Sequence, residues 1–155
     1  MSGRRLKLGD VVEISTRDGF VYMQYTHRHK QYGYLVRVFV GEYGARPVDF
    51  DDVTSSEVRF PALLPLQTLV NKGIFEVVGN EQVRLDLAEF PMFRAGIPSP
   101  SSKRVENWWL WDGECEYPLG ELTDEQKCLP IRGIWNDTML IRRIEENWRP
   151  EAAAN

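Results

Sequence analysis

The residues best suited to chemistry lie in the short stretch NWWLWDGECEY at positions 107–117. The stretch combines three tryptophans with three acids: Trp108, Trp109, Trp111, Asp112, Glu114 and Glu116. Two carboxylates beside an aromatic platform are the arrangement found in glycosidases, where aromatic rings stack on sugars and the acids act on the glycosidic bond. One hypothesis is therefore a small-ligand binding protein or a hydrolase that uses residues 109–116.

The same stretch also fits a core strand that ends in a charged turn. Successive side chains of a strand point to opposite faces, so Trp109 and Trp111 share one face and Trp108 lies on the other. Asp112-Gly113 is a strong hairpin signal, and acids on an outer strand face need no chemical role. We expect the apolar residues on at least one face of this strand to lie in the core, where the helix predicted at 137–148 would cover them. Only the face of Trp109 and Trp111 remains a candidate binding surface.

Other catalytic and cofactor signatures are missing from the sequence. GxSxG, GxGxxG and GxxxxGK[ST] do not occur. The only histidines, His27 and His29, have a spacing used by metal sites, but two ligands without a third do not form one. The sequence therefore predicts no metal and no cofactor, and it favours a non-enzymatic protein while an enzyme stays an alternative.

A basic and aromatic segment in the first third gives a further, weaker hypothesis. Its cations are Arg4, Arg5, Lys7, Arg28, Lys30 and Arg37, and its tyrosines are Tyr22, Tyr25, Tyr32 and Tyr34. Such a sheet face can bind single-stranded nucleic acid by stacking and charge. The formal net charge of −4 argues against it, because binding to phosphate backbones depends on a positive field.

Length and composition indicate one ordinary globular domain. The chain has 155 residues, of which 43% are hydrophobic and 27% charged. We expect a single domain over residues 1–150 and a frayed tail over 151–155. No window has the roughly 18 apolar residues of a membrane span, and the first residues lack the apolar segment of a signal peptide. We therefore expect a cytoplasmic protein that is not in a membrane.

The order of elements predicts an α+β fold. The expected strands are 11–15, 20–26, 33–40, 60–64, 75–79, 80–87, 105–112 and 115–120, with 60–64 of edge type and 90–94 irregular or short β. Helices are expected at 65–73, after a capping box at Thr123, and from Asn136 or Asp137 to Trp148. The architecture is a curved antiparallel sheet or small partly open barrel, with two or three short helices and the C-terminal helix packed on the sheet. A homodimer remains an open alternative, because strand 80–87 could pair with its copy at the edge of the sheet.

Part of the chain resembles known bacterial sequences. LGDVVEI at 8–14, Asp18-Gly19, Tyr22 and GYLVRV at 33–38 resemble the start of the bacterial immunity-protein family numbered twenty-six. WWLWDG at 108–113 and LPIRGIWNDT at 129–138 are similar to a group of uncharacterised proteobacterial proteins. The first resemblance implies a protein that protects cells by occluding a partner toxin, and it names no catalytic residues. An acidic protein would suit a basic toxin domain as its partner. The candidate binding surface then comprises Trp109, Trp111, Asp112, Glu114, Glu116, Tyr22 and Tyr34.

Overall fold

A computed structural model describes residues 5–152 and has the predicted α+β fold, with two antiparallel sheets and no closed barrel. It divides into two compact units: residues 5–89 with 134–147, and residues 90–133 with 148–152. Arg4 of the basic segment and residues 153–155 of the predicted tail lie outside the described residues. The remaining tail residues, 151 and 152, belong to a short 3-10 helix, Pro150–Ala152.

The first unit is built on a five-stranded sheet. Its strands are β1 (Asp10–Thr16), β2 (Gly19–His29), β3 (Gly33–Phe39), β4 (Val58–Leu64) and β5 (Glu76–Asn80). The spatial order β4-β3-β2-β1-β5 contains the predicted meander of the first three strands. Gly19, with φ at +133°, makes the tight reversal into β2 that a residue with a Cβ would resist. β4 is an edge strand, as predicted, and it carries Pro61.

One face of this sheet is covered by the segment that follows β3. The segment contains a short helix, α1 (Asp51–Thr54), and its Tyr43 forms a bridge with Phe20 at the start of β2. Phe50 and Val53 of the segment pack into a buried cluster with Tyr22 on the sheet. The loop is therefore fixed on the sheet by apolar packing.

Two further helices belong to the first unit. The predicted helix at 65–73 forms as α2 (Leu66–Asn71), and the C-terminal helix forms as α3 (Asp137–Glu145), which contacts β1. Asn136 caps α3, because its Oδ1 accepts the Met139 N–H at 2.7 Å. The predicted end at Trp148 is wrong: Asn147 has φ at +54°, a left-handed conformation that stops a helix. Within residues 5–152, no helix is long and apolar enough to cross a membrane.

The predicted strand over 80–87 does not form. β5 ends at Asn80, the next residues are irregular, and Leu85–Leu87 is a 3-10 helix. Arg84 explains the difference, because its guanidinium binds the carbonyls of Thr54 and Ser56 and the carboxylate of Asp86. These contacts hold the segment away from strand pairing, so β5 forms the edge of the sheet.

The second unit is built on a three-stranded sheet. β6 (Phe93–Ala95), β7 (Trp108–Trp111) and β8 (Glu116–Gly120) pair in the order β6-β7-β8, and β8 carries Pro118. The predicted capping box is confirmed, since Thr123 N–H donates to Gln126 Oε1 at 2.9 Å and Gln126 N–H donates to Thr123 Oγ1 at 3.2 Å. The helix it starts is a single 3-10 turn, Gln126–Cys128.

Candidate functional site

The turn between β7 and β8 is built by Asp112. Its Oδ1 accepts the N–H groups of Glu114 and Cys115 at 2.9 and 2.8 Å, and Gly113 takes φ at +101°. These backbone hydrogen bonds hold the pKa of Asp112 below its ordinary value. The predicted Asp-Gly turn is confirmed, and the Asp112 carboxylate is occupied in forming it.

The three tryptophans have different surroundings. Trp109 is 39% exposed, whereas Trp108 and Trp111 are each 3% exposed. The ring of Trp111 packs against Phe90 and Phe93, with ring centres 5.4 and 5.5 Å away. Of the two indoles predicted as a binding face, Trp111 is therefore inside the protein and Trp109 alone reaches solvent.

Arg94, which the sequence did not single out, organises the interior of the second unit. Its side chain is fully buried, and the Cζ lies 4.7 Å from the ring centre of Trp108. Nε donates to the Leu129 carbonyl at 2.9 Å and Nη2 to the Pro150 carbonyl at 3.3 Å. Burial lowers the pKa of the Arg94 guanidinium. The backbone of Arg94 also accepts the N–H of Arg132 at 2.9 Å, which places Arg132 beside the sheet.

Arg132 lies across the face of the sheet that carries Trp111. Its Cζ is 5.2 Å from the Trp111 ring centre, and its Nη1 donates to Glu116 Oε1 at 3.2 Å. A guanidinium that is stacked on a ring and bonded to a carboxylate is held in one orientation. Arg132 thus covers Trp111 and fixes Glu116, two of the residues that the sequence had proposed as a site.

These side chains border an open cleft of about 500 Å³, which we call the Trp109 cleft. Its lining comprises residues 95–100, Glu106, Asn107, Trp109, Glu116 and Arg132. Ile97 in its lining is 88% exposed. The cleft thus combines an accessible indole and the exposed Ile97 with one fixed ion pair. Two predicted site residues, Trp109 and Glu116, meet in it, while Asp112 and the exposed Glu114 do not line it.

Tyr22, also predicted at the binding surface, lies in the interior of the first unit with no exposed area. Its hydroxyl donates to Glu13 Oε2 at 2.8 Å, and burial raises the pKa of Tyr22 well above its ordinary value. Glu13 is also bound by Arg46, whose Nε and Nη2 donate to its two oxygens at 2.8 and 3.0 Å. The hydrogen bond from Arg46 lowers the pKa of Glu13, against the opposing effect of burial. This network belongs to the core, and Tyr22 does not present a surface.

Tyr34, the remaining predicted residue, is half-buried on β3 of the first unit. It packs edge-on against the buried Tyr25 and lies under Arg28, whose Cζ is 5.0 Å from the ring centre. Arg37 is buried as well, and burial lowers its pKa to about 10. The tyrosine-rich segment therefore does not expose a continuous row of rings.

His27, one of the two histidines, contacts both a neighbouring residue and a distant one. His27 Nδ1 lies 3.0 Å from Thr26 Oγ1, and Nε2 lies 2.8 Å from the Ala88 carbonyl oxygen. Burial lowers the pKa of His27. Across residues 5–152, no group of three or more His, Cys, Asp or Glu side chains is arranged to hold a metal ion.

Fold and site together define a small α+β protein with an open, aromatic cleft on a three-stranded sheet. No protein-family model, curated protein or solved structure matches the chain.

Proposed function

We propose that the chain is a non-enzymatic protein-binding domain of the bacterial immunity-protein type, which acts in the cytoplasm by occluding a partner toxin. The observation that carries the proposal is the exposed indole of Trp109 in an open cleft that the exposed Ile97 also lines. Tryptophan and arginine are the residues most enriched at the energetic centres of protein interfaces. The resemblance of residues 8–38 to the immunity family supplies the type of partner.

Charge favours a basic partner. The chain carries a formal net charge of −4, and the Trp109 cleft is lined by Glu106 and Glu116 with one guanidinium, that of Arg132, already bonded to Glu116. An acidic surface attracts a basic protein and speeds its association. The proposed partner is therefore a basic toxin domain, as the sequence also indicated.

The test is a binding titration with the product of the adjacent gene. We expect Trp109→Ala to weaken that complex at least about tenfold, or about 1.4 kcal/mol, because an interface tryptophan buries a large rigid ring. Leu85→Ala is the control, since Leu85 is 92% exposed in the first unit and does not line the cleft. Isothermal calorimetry measures both affinities, and growth of cells that express the toxin reports protection.

Two outcomes would count against this proposal. One is the failure of every neighbouring gene product to bind the purified protein. The other is a complex in which Trp109→Ala and Leu85→Ala bind equally well, which would place the interface elsewhere. Circular dichroism confirms that each variant is folded, and the exposure of both side chains makes unfolding an improbable source of the loss.

A small-ligand site is the second candidate, favoured by the size of the cleft. A volume of about 500 Å³ lies within the range of about 300–1,000 Å³ typical of small-molecule sites. A hydrolase of the glycosidase kind needs two carboxylates that flank the glycosidic bond it cleaves. Glu116 is bonded to Arg132, and Asp112 accepts backbone hydrogen bonds in the turn, which argues against this chemistry. Saturable quenching of tryptophan fluorescence by soluble saccharides, abolished in Trp109→Ala, would favour this candidate over protein binding.

A further inference from the structure

A second cleft lies in the first unit and has a different chemistry. It measures about 360 Å³ and is lined by Arg5, Leu6, Tyr25, Arg28, Tyr34, Gln67 and Asn71. Among the described residues 5–152, two arginines and no acid line it, in a chain that has more acidic than basic residues. Like charges that share a cleft repel one another, so a protein gains nothing in stability from this arrangement.

Both guanidinium groups are available to a ligand. Arg5 and Arg28 are exposed, and neither makes an ion pair with any residue in the described range 5–152. Asp10, an acid close enough to influence Tyr25, accepts the Lys7 backbone N–H and the Asn80 side-chain amide. Its carboxylate is buried and does not line the cleft.

Three elements hold the cleft in shape. Arg28 on β2 pairs across the ladder with Tyr34 on β3, and its guanidinium lies over the Tyr34 ring. The N-terminal segment is tied to α2, because Leu6 N–H donates to Gln67 Oε1 at 3.0 Å. Gln67 in turn donates to Asn71 Oδ1 at 2.9 Å, one helical turn away. Stacking therefore orients Arg28, and the Leu6 hydrogen bond brings Arg5 to the same opening.

We propose that this cleft binds a small molecule through a phosphate monoester group. A monoester carries close to two negative charges at neutral pH, which matches two guanidinium groups better than a single carboxylate does. A guanidinium group can also donate two parallel hydrogen bonds to two oxygens of one phosphate. The volume fits a small molecule, at the low end of the range of about 300–1,000 Å³ for such sites. The proposal does not rest on the Trp109 cleft or on its proposed partner.

The experiment is a titration of the full chain, isotope-labelled for amide NMR, with adenosine monophosphate, inorganic phosphate, adenosine and succinate. We expect the two phosphates to give saturable shifts at residues 5–6 and 25–34, while adenosine gives none. Arg28→Gln should weaken binding at least about tenfold, since it removes one of two phosphate-binding cations. Arg5→Gln, on a different element, should have a similar effect.

Arg104→Gln is the matched control, because Arg104 is an exposed arginine in the second unit and its removal changes the net charge equally. An equal loss of affinity in this variant would overturn the proposal in favour of general charge attraction. Equal binding of adenosine or of succinate would overturn the choice of phosphate. A single-stranded oligonucleotide that binds far more tightly than the mononucleotide would replace the small-molecule proposal with strand binding.

Discussion

Glu13 shows how a charged side chain can belong to a protein core. It lies on β1 with only 8% of its area exposed, and Tyr22 and Arg46 donate three hydrogen bonds to its oxygens. Charge-assisted hydrogen bonds of this kind are about twice as strong as neutral ones. Arg46 comes from the loop after β3, so the carboxylate joins that loop to the sheet.

The protein should therefore become less stable in acid, as Glu13 is protonated and loses its charge. Its pKa in the folded protein is below the ordinary value of 4.5, so its contribution is complete above that pH and is lost as the pH falls through the folded pKa. We expect Glu13→Gln to lower the free energy of unfolding at neutral pH by about 1–2 kcal/mol, because Arg46 can still reach solvent. Urea denaturation at pH 7 and near pH 4 measures both effects.

Glu114→Gln is the control for this variant, as Glu114 is exposed on the β7–β8 turn. The difference in stability between Glu13→Gln and the parent protein should shrink in acid, whereas Glu114→Gln should stay close to the parent throughout. A Glu13→Gln variant whose deficit is unchanged near pH 4 would show that the charge of Glu13 does not stabilise the fold.

Single residues also set the limit of what the sequence could predict about the site. The position of Asp112 was predictable, since an Asp-Gly pair makes a turn through contacts with its immediate neighbours. Burial of Trp111 depends on Phe90, Phe93 and Arg132, which are distant in sequence, and no local pattern connects them. Arg94 lies at the end of the stretch 90–94, which was predicted as irregular or short β, and nothing nearby marks its guanidinium as buried.

At the scale of elements, local chemistry explains which predictions were confirmed. The strands of the meander depend on runs of β-branched and aromatic residues, and the capping box at Thr123 depends on contacts three residues apart, so the sequence displays both directly. The segment after β5 alternates between apolar and polar residues as a strand does, yet the tertiary contacts of Arg84 decide its conformation. The helix α3 begins where its cap predicts, but it ends at Glu145, because Asn147 takes a left-handed backbone conformation although the apolar stripe continues to Trp148.

The cap of α3 offers a test at this scale. We expect Asn136→Ala to lower the free energy of unfolding by about 1 kcal/mol, because the Met139 N–H loses its acceptor. Asn136→Ser should retain most of the stability, since serine caps helices about as well as asparagine. Thermal denaturation followed by circular dichroism measures both, and equal melting temperatures for the two variants would contradict the role of the cap.

At the scale of the whole molecule, the sequence predicts one domain and the structure contains two compact units. The second unit is small, its strands are short, and both of its cysteines are free, so no disulfide supports it. A unit of this size is only marginally stable on its own. The chain passes from the first unit to the second, returns to the first at 134 and enters the second again at 148, which also links their folding.

We therefore expect the protein to unfold in a single cooperative transition. Scanning calorimetry tests this, because the calorimetric enthalpy equals the van't Hoff enthalpy only for a two-state transition. Arg94→Met, which removes the buried guanidinium of the second unit, should lower the one melting temperature without splitting the peak. Two resolved transitions would show that the units are separate domains.

The prolines at the sheet borders have a consequence for behaviour at high concentration. Pro61 lies in β4 and Pro118 in β8, and each strand forms the border of its sheet. A proline has no N–H, so a foreign strand that docks there finds a gap in the row of donors. Fibril growth and accidental strand exchange need an unbroken row. Both borders are thus poor templates for aggregation, and the protein should tolerate high concentration without strand exchange at these two edges.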